Sequence, residues 1–322
     1  MKCLCIRLGA VGDLIMLSSL LPLLAKDYEI TLNCKQRGKE VLKNNPHIAN
    51  WLIHDESIKL EELPAHWKKI SEGFDKVINL TGSIETALLK HEDDPIAKEP
   101  KAVRKTDVNY YDQTMKLAGY DVTGRKPLIY LSLEERKRIK AMRRRAKKKG
   151  SFIILWALSG SALHKAYPYT EDVARYILRK YPETVFVTVG DEFCRLLEWE
   201  HSRTIMKAGK TSIRTAMLWT YASDLVIGVE TGVLNAAGAH KVHKIILYSH
   251  SAHKNLSLYW DNAHPIQSPA PCSPCYLHID KRFRDFCNPV KTAGDASLCM
   301  AMIKPEMVSN EIERVIKLSG MR

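Results

Sequence analysis

No run of apolar residues in the sequence is long enough to cross a bilayer. The longest near the start, residues 14–25, is broken by Ser18, Ser19 and Pro22, and falls well short of the ~20 residues a membrane helix needs. The pattern of a secretory leader is missing as well. Arg7 and Asp13 interrupt the first apolar segment, which suits a buried strand, turn and helix better. The expectation is therefore a cytoplasmic protein without a transmembrane segment. No low-complexity tract and no short internal repeat occurs. Negative charge is in deficit, with 36 Asp or Glu against 49 Lys or Arg and a net charge of +13.

Apolar residues make up 45% of the chain and charged residues 26%, a balance typical of a folded protein. At 322 residues the chain exceeds what one hydrophobic core usually supports, so two domains of roughly 150 residues each are expected. The surplus charge is concentrated: residues 134–149 carry ten Lys or Arg against two Glu. Such a stripe either docks on phosphate-bearing partners (lipid headgroups, lipopolysaccharide or nucleic acid) or is a solvated basic helix before an interdomain linker.

Residues 2–8 (KCLCIRL) read as a strand, followed by Gly9, Gly12 and Asp13 and then a helical apolar pattern. Strands follow at 29–34 and 76–80, with helical segments at 35–44, 83–90 and 107–118. After a boundary at 147–150 the alternation restarts. It gives strands at 151–158, 184–190, 224–229 and 244–249, helices at 170–180, 192–200, 211–221 and 232–239, and a last helix at 305–318. Alternating strands and helices imply mainly parallel sheets. The fold class is α/β, with residues 1–149 as a first Rossmann-like domain that includes the basic helix. A second spans 150–304 and includes the cysteine segment, and a C-terminal helix lies within 305–322.

Each strand-to-helix turn carries candidate chemistry. In the first, Gly9 and Gly12 let the backbone turn sharply and approach a ligand. Asp13 there either takes a proton from a hydroxyl or simply stabilises its helix N-terminus. The spacing is not the dinucleotide fingerprint G-x-G-x-x-G. Ser159, Gly160, Ser161, His164 and Lys165 follow the strand at 151–158, a set suited to holding phosphate oxygens without being a Walker loop. Lys165 can balance a diphosphate without a metal, or be a solvated loop lysine. Asp191 and Glu192, after the strand at 184–190, can accept ribose hydroxyls, while Asp191 can equally cap a helix. Glu230, Thr231 and Gly232 open the helix at 232–239. Thr231 and the N–H groups of Gly232 and Val233 can hold phosphate, or Glu230 and Thr231 merely cap that helix.

Of the eight cysteines, Cys3, Cys5, Cys34 and Cys194 are scattered like buried thiols. Cys272, Cys275, Cys287 and Cys299 cluster. One C-x2-C with two further cysteines can hold a structural zinc, with His278 as a substitute ligand, or all four can be reduced thiols.

Taken in order, CIRLGAVGDLIMLSSLLPLL, INLTGSIETALL, SGSALHKAYP, VTVGDE, VETGVLNAAGA and CSPC resemble glycosyltransferase family 9, the ADP-heptose:lipopolysaccharide heptosyltransferases, over about residues 2–318. The resemblance implies a GT-B fold, two doubly wound Rossmann-like domains facing across a cleft, with the donor bound mainly to the second. It also implies an inverting, metal-independent reaction needing no cofactor beyond an ADP-sugar or related nucleotide sugar. Asp13 matches the family's general base, on the acceptor side with Gly9 and Gly12. Lys165, with Ser159 and Ser161, matches the donor-phosphate loop, Glu192 or Asp191 the ribose contact, and Thr231 and Gly232 the D-T-G segment. Two positions depart from the family: Glu230 replaces the usual Asp and Asn235 a usual His, which bears on the identity of the donor sugar. The implied acceptor is the lipopolysaccharide core, reached from the cytoplasm with peripheral membrane association through residues 136–149. Two further readings stand beside it. One is sugar transfer to modified bases in DNA; the other is a nucleic-acid-binding protein with a degenerate nucleotide-sugar site.

Overall fold

The computed structural model describes residues 1–81, 108–160, 165–274 and 289–320. Ser161, Cys275, His278 and Cys287 lie outside them, as does the helix expected at 83–90. Backbone contacts divide the chain into two units, one of Met1–Tyr130 with Lys254–Tyr259 and one of Leu131–His253 with Trp260–Arg322.

Among the described residues, the first unit holds four parallel strands, β1 Lys2–Ile6, β2 Glu29–Cys34, β3 Asn50–Ile53 and β4 Lys76–Asn79, in the order β3-β2-β1-β4. β1 is central, and its Cys3, Leu4, Cys5 and Ile6 are fully buried, as expected of an apolar run in a parallel sheet. Helices α1 Val11–Leu17, α2 Leu21–Leu24, α3 Gln36–Leu42, α4 Leu63–Ser71 and α5 Tyr110–Leu117 complete the unit. β3 and α4 have no counterpart in the sequence reading. β3 is a short edge strand with no buried residue, and α4 starts with a proline in its first turn; Trp67 of α4 nevertheless packs into a core with Leu4, Ile6, Leu8 and Leu63. Residues 254–259 join this unit through specific bonds. Asn109 Nδ2 donates to the Lys254 carbonyl (2.9 Å), Asn255 Nδ2 to the Val108 carbonyl (3.1 Å) and the Tyr259 hydroxyl to Asp112 (2.6 Å).

Among the described residues, six parallel strands form the main sheet of the second unit: β5 Phe152–Ala157, β6 Thr184–Val189, β7 Thr204–Met206, β8 Leu225–Val229, β9 His243–Tyr248 and β10 Ala263–Gln267, ordered β10-β9-β8-β5-β6-β7. The chain runs outward from β5 to β7, returns to β8 and then runs out the other way, which is the doubly wound topology of dinucleotide-binding sheets. β5 and β6 are buried along their whole length. Helices α6 Leu133–Lys147, α7 Thr170–Lys180, α8 Ile213–Ala222 and α9 Gly232–Gly238, with the C-terminal helix Pro305–Leu318, cover the sheet. α9 presses tightly on it: a Cβ on Gly228 of β8 would lie 2.7 Å from Leu234 Cδ2 of α9 and 2.6 Å from the Ala157 carbonyl oxygen of β5, so only glycine fits there. The segment read as a helix at 192–200 is a shorter 3-10 turn, Phe193–Leu197.

The basic helix belongs to this second unit, whereas the sequence reading attached it to the first. Its buried side carries the reason. Glu135 makes a bidentate pair with Arg214, Arg214 Nε to Oε1 at 2.8 Å and Nη2 to Oε2 at 2.9 Å. Arg138 reaches Thr215 (2.9 Å), and Arg143 reaches Asp224 (2.5 Å) and the Ala222 carbonyl (3.0 Å). Ser132 and Glu135 close a reciprocal capping box at its start. Lys137, Lys140, Arg144, Lys147 and Lys148 remain solvent-exposed. Among the described residues no helix is long and apolar enough to cross a membrane.

Candidate functional site

In doubly wound sheets ligands gather beyond the carboxyl ends of strands, where the winding reverses. That point lies between β1 and β4 in the first unit and between β5 and β8 in the second. The loops leaving these strands hold most of the residues singled out from the sequence.

In the first unit β1 runs into Arg7, Leu8, Gly9 and Ala10 before α1 begins. Asp13, in the first turn of α1, is 6% exposed and Arg7 1%. Arg7 Nη2 lies 2.9 Å from Asp13 Oδ1, and the Ala10 N–H donates to Oδ2 at 2.6 Å. Arg7 Nη1 meanwhile donates to the Leu80 carbonyl at the end of β4 (2.6 Å), and the Leu8 N–H donates to Thr81 Oγ1 (3.2 Å). The carboxylate is thus held in one orientation by a guanidinium that is itself anchored across the switch point. Gly9 is required here because a Cβ would run into the Asp13 carboxylate. Gly12 lies in the first turn of α1. The sequence reading treats Arg7 only as an interruption of the apolar run; an arginine at the end of a buried strand, six residues before a carboxylate, is the signal it contained.

In the second unit the loop after β5 and the turn after β8 meet. A Cβ on Gly160 would contact Lys165 Cδ (2.9 Å), the Glu230 carbonyl oxygen (3.4 Å) and Thr231 Cγ2 (3.6 Å), so three side-chain-bearing residues from these two loops converge on this glycine. Lys165 is only 8% exposed, which an ammonium tolerates when anionic or polar groups face it. The Glu230 side chain is buried. It accepts the Ser251 hydroxyl on Oε1, and Oε2 makes no hydrogen bond among the described residues, with His250 Nε2 at 3.4 Å. Burial pushes the Glu230 carboxyl up, while the positive charge of Lys165 and the Ser251 hydroxyl pull it down. Thr231 caps α9 by accepting the Leu234 N–H (3.2 Å), and Asn235 Nδ2 donates to the Thr231 carbonyl (3.0 Å). Gly232 is the first residue of α9. Ser251 and His250, just beyond β9, are absent from the sequence reading; their mark in the sequence is a polar SHS immediately after an apolar strand.

At the end of the neighbouring β6, Asp191 Oδ1 accepts the Cys194 N–H (3.1 Å) and so caps the 3-10 turn. Glu192 is exposed and paired with Arg195, with Gly209 folded against its carboxylate in the left-handed region (φ +64°). Ser159 lies at the end of β5, its backbone hydrogen-bonded to the Cys194 thiol. The three loops therefore sit on the adjacent strands β8, β5 and β6.

Cys3, Cys5, Cys34 and Cys194 are all buried free thiols. Of the clustered cysteines, Cys272 is exposed and Cys299 is buried with Sγ 3.3 Å from Ser297 Oγ. Among the described residues no group of three or more His, Cys, Asp or Glu comes together as a metal site.

No protein-family model matches the sequence, and no curated protein matches it. Solved structures do resemble it in fold. A glycosyl transferase family 9 protein from Veillonella parvula superposes with a TM-score of 0.69 at 16% identity, covering 98% of this chain and 97% of that one. An Escherichia coli ADP-heptose lipopolysaccharide heptosyltransferase II gives 0.68 at 15% identity, covering 99% and 100%. An E. coli heptosyltransferase bound to ADP-2-deoxy-2-fluoro heptose gives 0.57 at 13% identity, covering 98% and 99%. Over nearly its whole length the chain thus has the two-domain α/β fold of these glycosyltransferases.

Proposed function

We propose that the protein is an inverting glycosyltransferase that moves a heptose or related sugar from an ADP-sugar donor to a lipopolysaccharide core acceptor. The observation that carries this reading is the convergence of buried Lys165, Gly160 and the Glu230–Thr231 turn at the switch point of the second unit. An ammonium beside a helix N-terminus is chemistry for a diphosphate, and Oε2 of Glu230, which makes no hydrogen bond among the described residues, can accept one from a sugar hydroxyl. Ser159 and Ser161 belong to the same phosphate loop in this reading, and Glu192 or Asp191 takes the ribose. Glu230 and Asn235 shape the sugar subsite, one methylene longer and differently charged than the Asp and His usual in the family that the motifs resemble.

In the reaction, Asp13 accepts the proton of the acceptor hydroxyl as its oxygen attacks the anomeric carbon in line. The bond to the nucleoside diphosphate breaks on the opposite face through an oxocarbenium-like transition state, and the configuration inverts. Arg7 and the Ala10 N–H keep Asp13 aimed, and Lys165 with the start of α9 stabilises the departing charge without a metal or other cofactor. The exposed cations of α6 suit an anionic acceptor and a cytoplasmic enzyme held peripherally at the inner membrane face. The same cations favour a second reading, transfer to modified bases in DNA, which a steep salt dependence of binding would mark. A structural zinc on Cys272, Cys275, Cys287 and Cys299 is a separate proposal, checked by metal content after purification.

A thermal-shift screen with ADP, UDP, GDP, CMP and ADP-heptose, repeated on Lys165→Ala, tests the donor half. Ligands that bind only the folded state raise its stability by mass action. Stabilisation by ADP or ADP-heptose that weakens in the variant is expected; a protein indifferent to every nucleotide would not be a working transferase.

A further inference from the structure

At the other end of the second sheet, where the strands begin, lies a recess that the proposed reaction does not use. It opens where α7 ends and β7 begins. Its volume is about 300 Å³, and Arg175, Leu178, Arg179, Pro182, His201 and Arg203 line it. Because all six strands are parallel, this recess and the loops carrying Lys165 and Glu230 occupy opposite ends of the sheet.

Three arginines and a histidine line this recess, and no carboxylate does. Two of the guanidinium groups are already fixed in place. Arg175 Nε and Nη2 bind Glu171 Oε1 at 2.7 and 2.6 Å, and Arg203 Nη2 donates to the Leu178 carbonyl at 2.7 Å while its Nη1 donates to the Pro182 carbonyl. Each keeps further N–H groups for another acceptor. Arg179 is exposed and has no acidic partner among the described residues. Lys149 adds a fourth cation nearby, held by its bond to the Ser202 carbonyl (2.5 Å).

The histidine shows the sign of the field. The Arg203 N–H donates to His201 Nδ1 (3.1 Å), so the neutral ring carries its proton on Nε2, as a donor. Burial and the charges of Arg203, Arg175 and Lys149 hold the imidazole below its usual range. Glu171 is paired with Arg175, and no carboxylate is among the causes that set the His201 balance. A recess built of pre-positioned guanidinium groups and a neutral imidazole N–H is complementary to a compact multivalent anion, and the exposed Pro182 ring can pack against an organic portion.

We propose that this recess is a second phosphate-binding site, remote from the donor loops, that takes the phosphomonoester or diphosphate group of an organic phosphate. Its affinity comes from Arg179 and the fixed guanidinium groups of Arg175 and Arg203, with His201 as a neutral donor. A soluble phosphorylated metabolite and the headgroup of an anionic lipid present the same chemistry, and the experiment separates them.

The test is calorimetric titration of the Lys165→Ala protein with inorganic pyrophosphate, so that the donor loop is disabled, followed by the same titration after adding Arg179→Ala. The expected result is saturable binding that weakens about tenfold or more when Arg179 is removed, one charge-assisted contact being lost. The His201 ring protons in NMR should titrate at higher pH with pyrophosphate bound, because the anion favours the imidazolium. Arg179→Ala alone should leave nucleotide affinity unchanged. Sedimentation with phosphatidylcholine vesicles containing about 30% phosphatidylglycerol identifies the source. Co-sedimentation that Arg179→Glu abolishes assigns a lipid headgroup, and binding of pyrophosphate without vesicle binding assigns a soluble phosphate. Absence of pyrophosphate binding in the Lys165→Ala protein, or binding that ignores Arg179 and leaves His201 unmoved, overturns the proposal.

Discussion

Arg7 and Asp13, six positions apart, form a buried ion pair with Nη2 2.9 Å from Oδ1, and the same guanidinium reaches the Leu80 carbonyl at the end of the adjacent strand. The pair ties the first loop of the chain to the fourth strand and sets the direction of the carboxylate proposed as general base.

Removing Arg7 therefore has two effects. Arg7→Ala leaves a buried carboxylate without its counter-charge and should destabilise the protein by about 3–5 kcal/mol. Arg7→Lys keeps a charge but loses the planar two-direction contact, so it should fold better and still show reduced kcat. Denaturant unfolding and initial rates on both variants check this.

The bidentate Glu135–Arg214 pair makes the same argument for the basic helix. Both side chains are nearly inaccessible. Glu135→Ala should cost about 3–5 kcal/mol, whereas Lys140→Ala, on the solvent side, should shift stability by less than about 0.5 kcal/mol. Equal effects in chemical denaturation would mean that the helix is not anchored through Glu135.

Much of this was readable in the residues. Apolar runs alternating with helical segments identify both sheets, because strands buried on two faces must be apolar throughout, as β5 and β6 are. The turns after β1, β5, β6 and β8 stand out as glycine and polar residues between such runs. What escapes is short or depends on tertiary contact. β7 and β10 have mixed polarity, and β7 is only three residues long. Arg7 looks like a break in a strand until its partner is placed, and the basic helix declares its domain only through Glu135 and Arg214. Ser251 enters the Glu230 site from 21 residues away, a distance no local pattern spans.

Close packing of α9 on the sheet gives a further expectation. Gly228→Ala places a methyl group 2.6 Å from the Ala157 carbonyl oxygen and 2.7 Å from Leu234. The loss should be about 1–3 kcal/mol, with weaker nucleotide binding because the turn carrying Glu230 and Thr231 follows directly. A Tm measured with and without ADP reads both.

Acid should weaken the fold through His240. Its ring stacks on Tyr221 at 3.8 Å and meets Thr220 Oγ1 at 3.0 Å; burial and then the charge of Lys244 lower its pKa to about 3. An unfolded histidine titrates near about 6.5. Between these values the unfolded chain binds the extra proton, so stability falls as pH drops from about 6.5 toward 3. His240→Asn should flatten that part of the Tm-against-pH curve, and an unchanged slope would remove His240 as a cause.

The proposed sugar transfer with Asp13 as the base is best checked by the initial rate of transfer from ADP-heptose to a lipopolysaccharide core acceptor, measured for the wild type and for Asp13→Asn. The expected result is a product of inverted anomeric configuration and a fall in kcat of about 10²–10⁴ in the variant, with ADP affinity retained. Transfer at the wild-type rate by Asp13→Asn, or no transfer by a wild type that binds ADP-heptose, would contradict it.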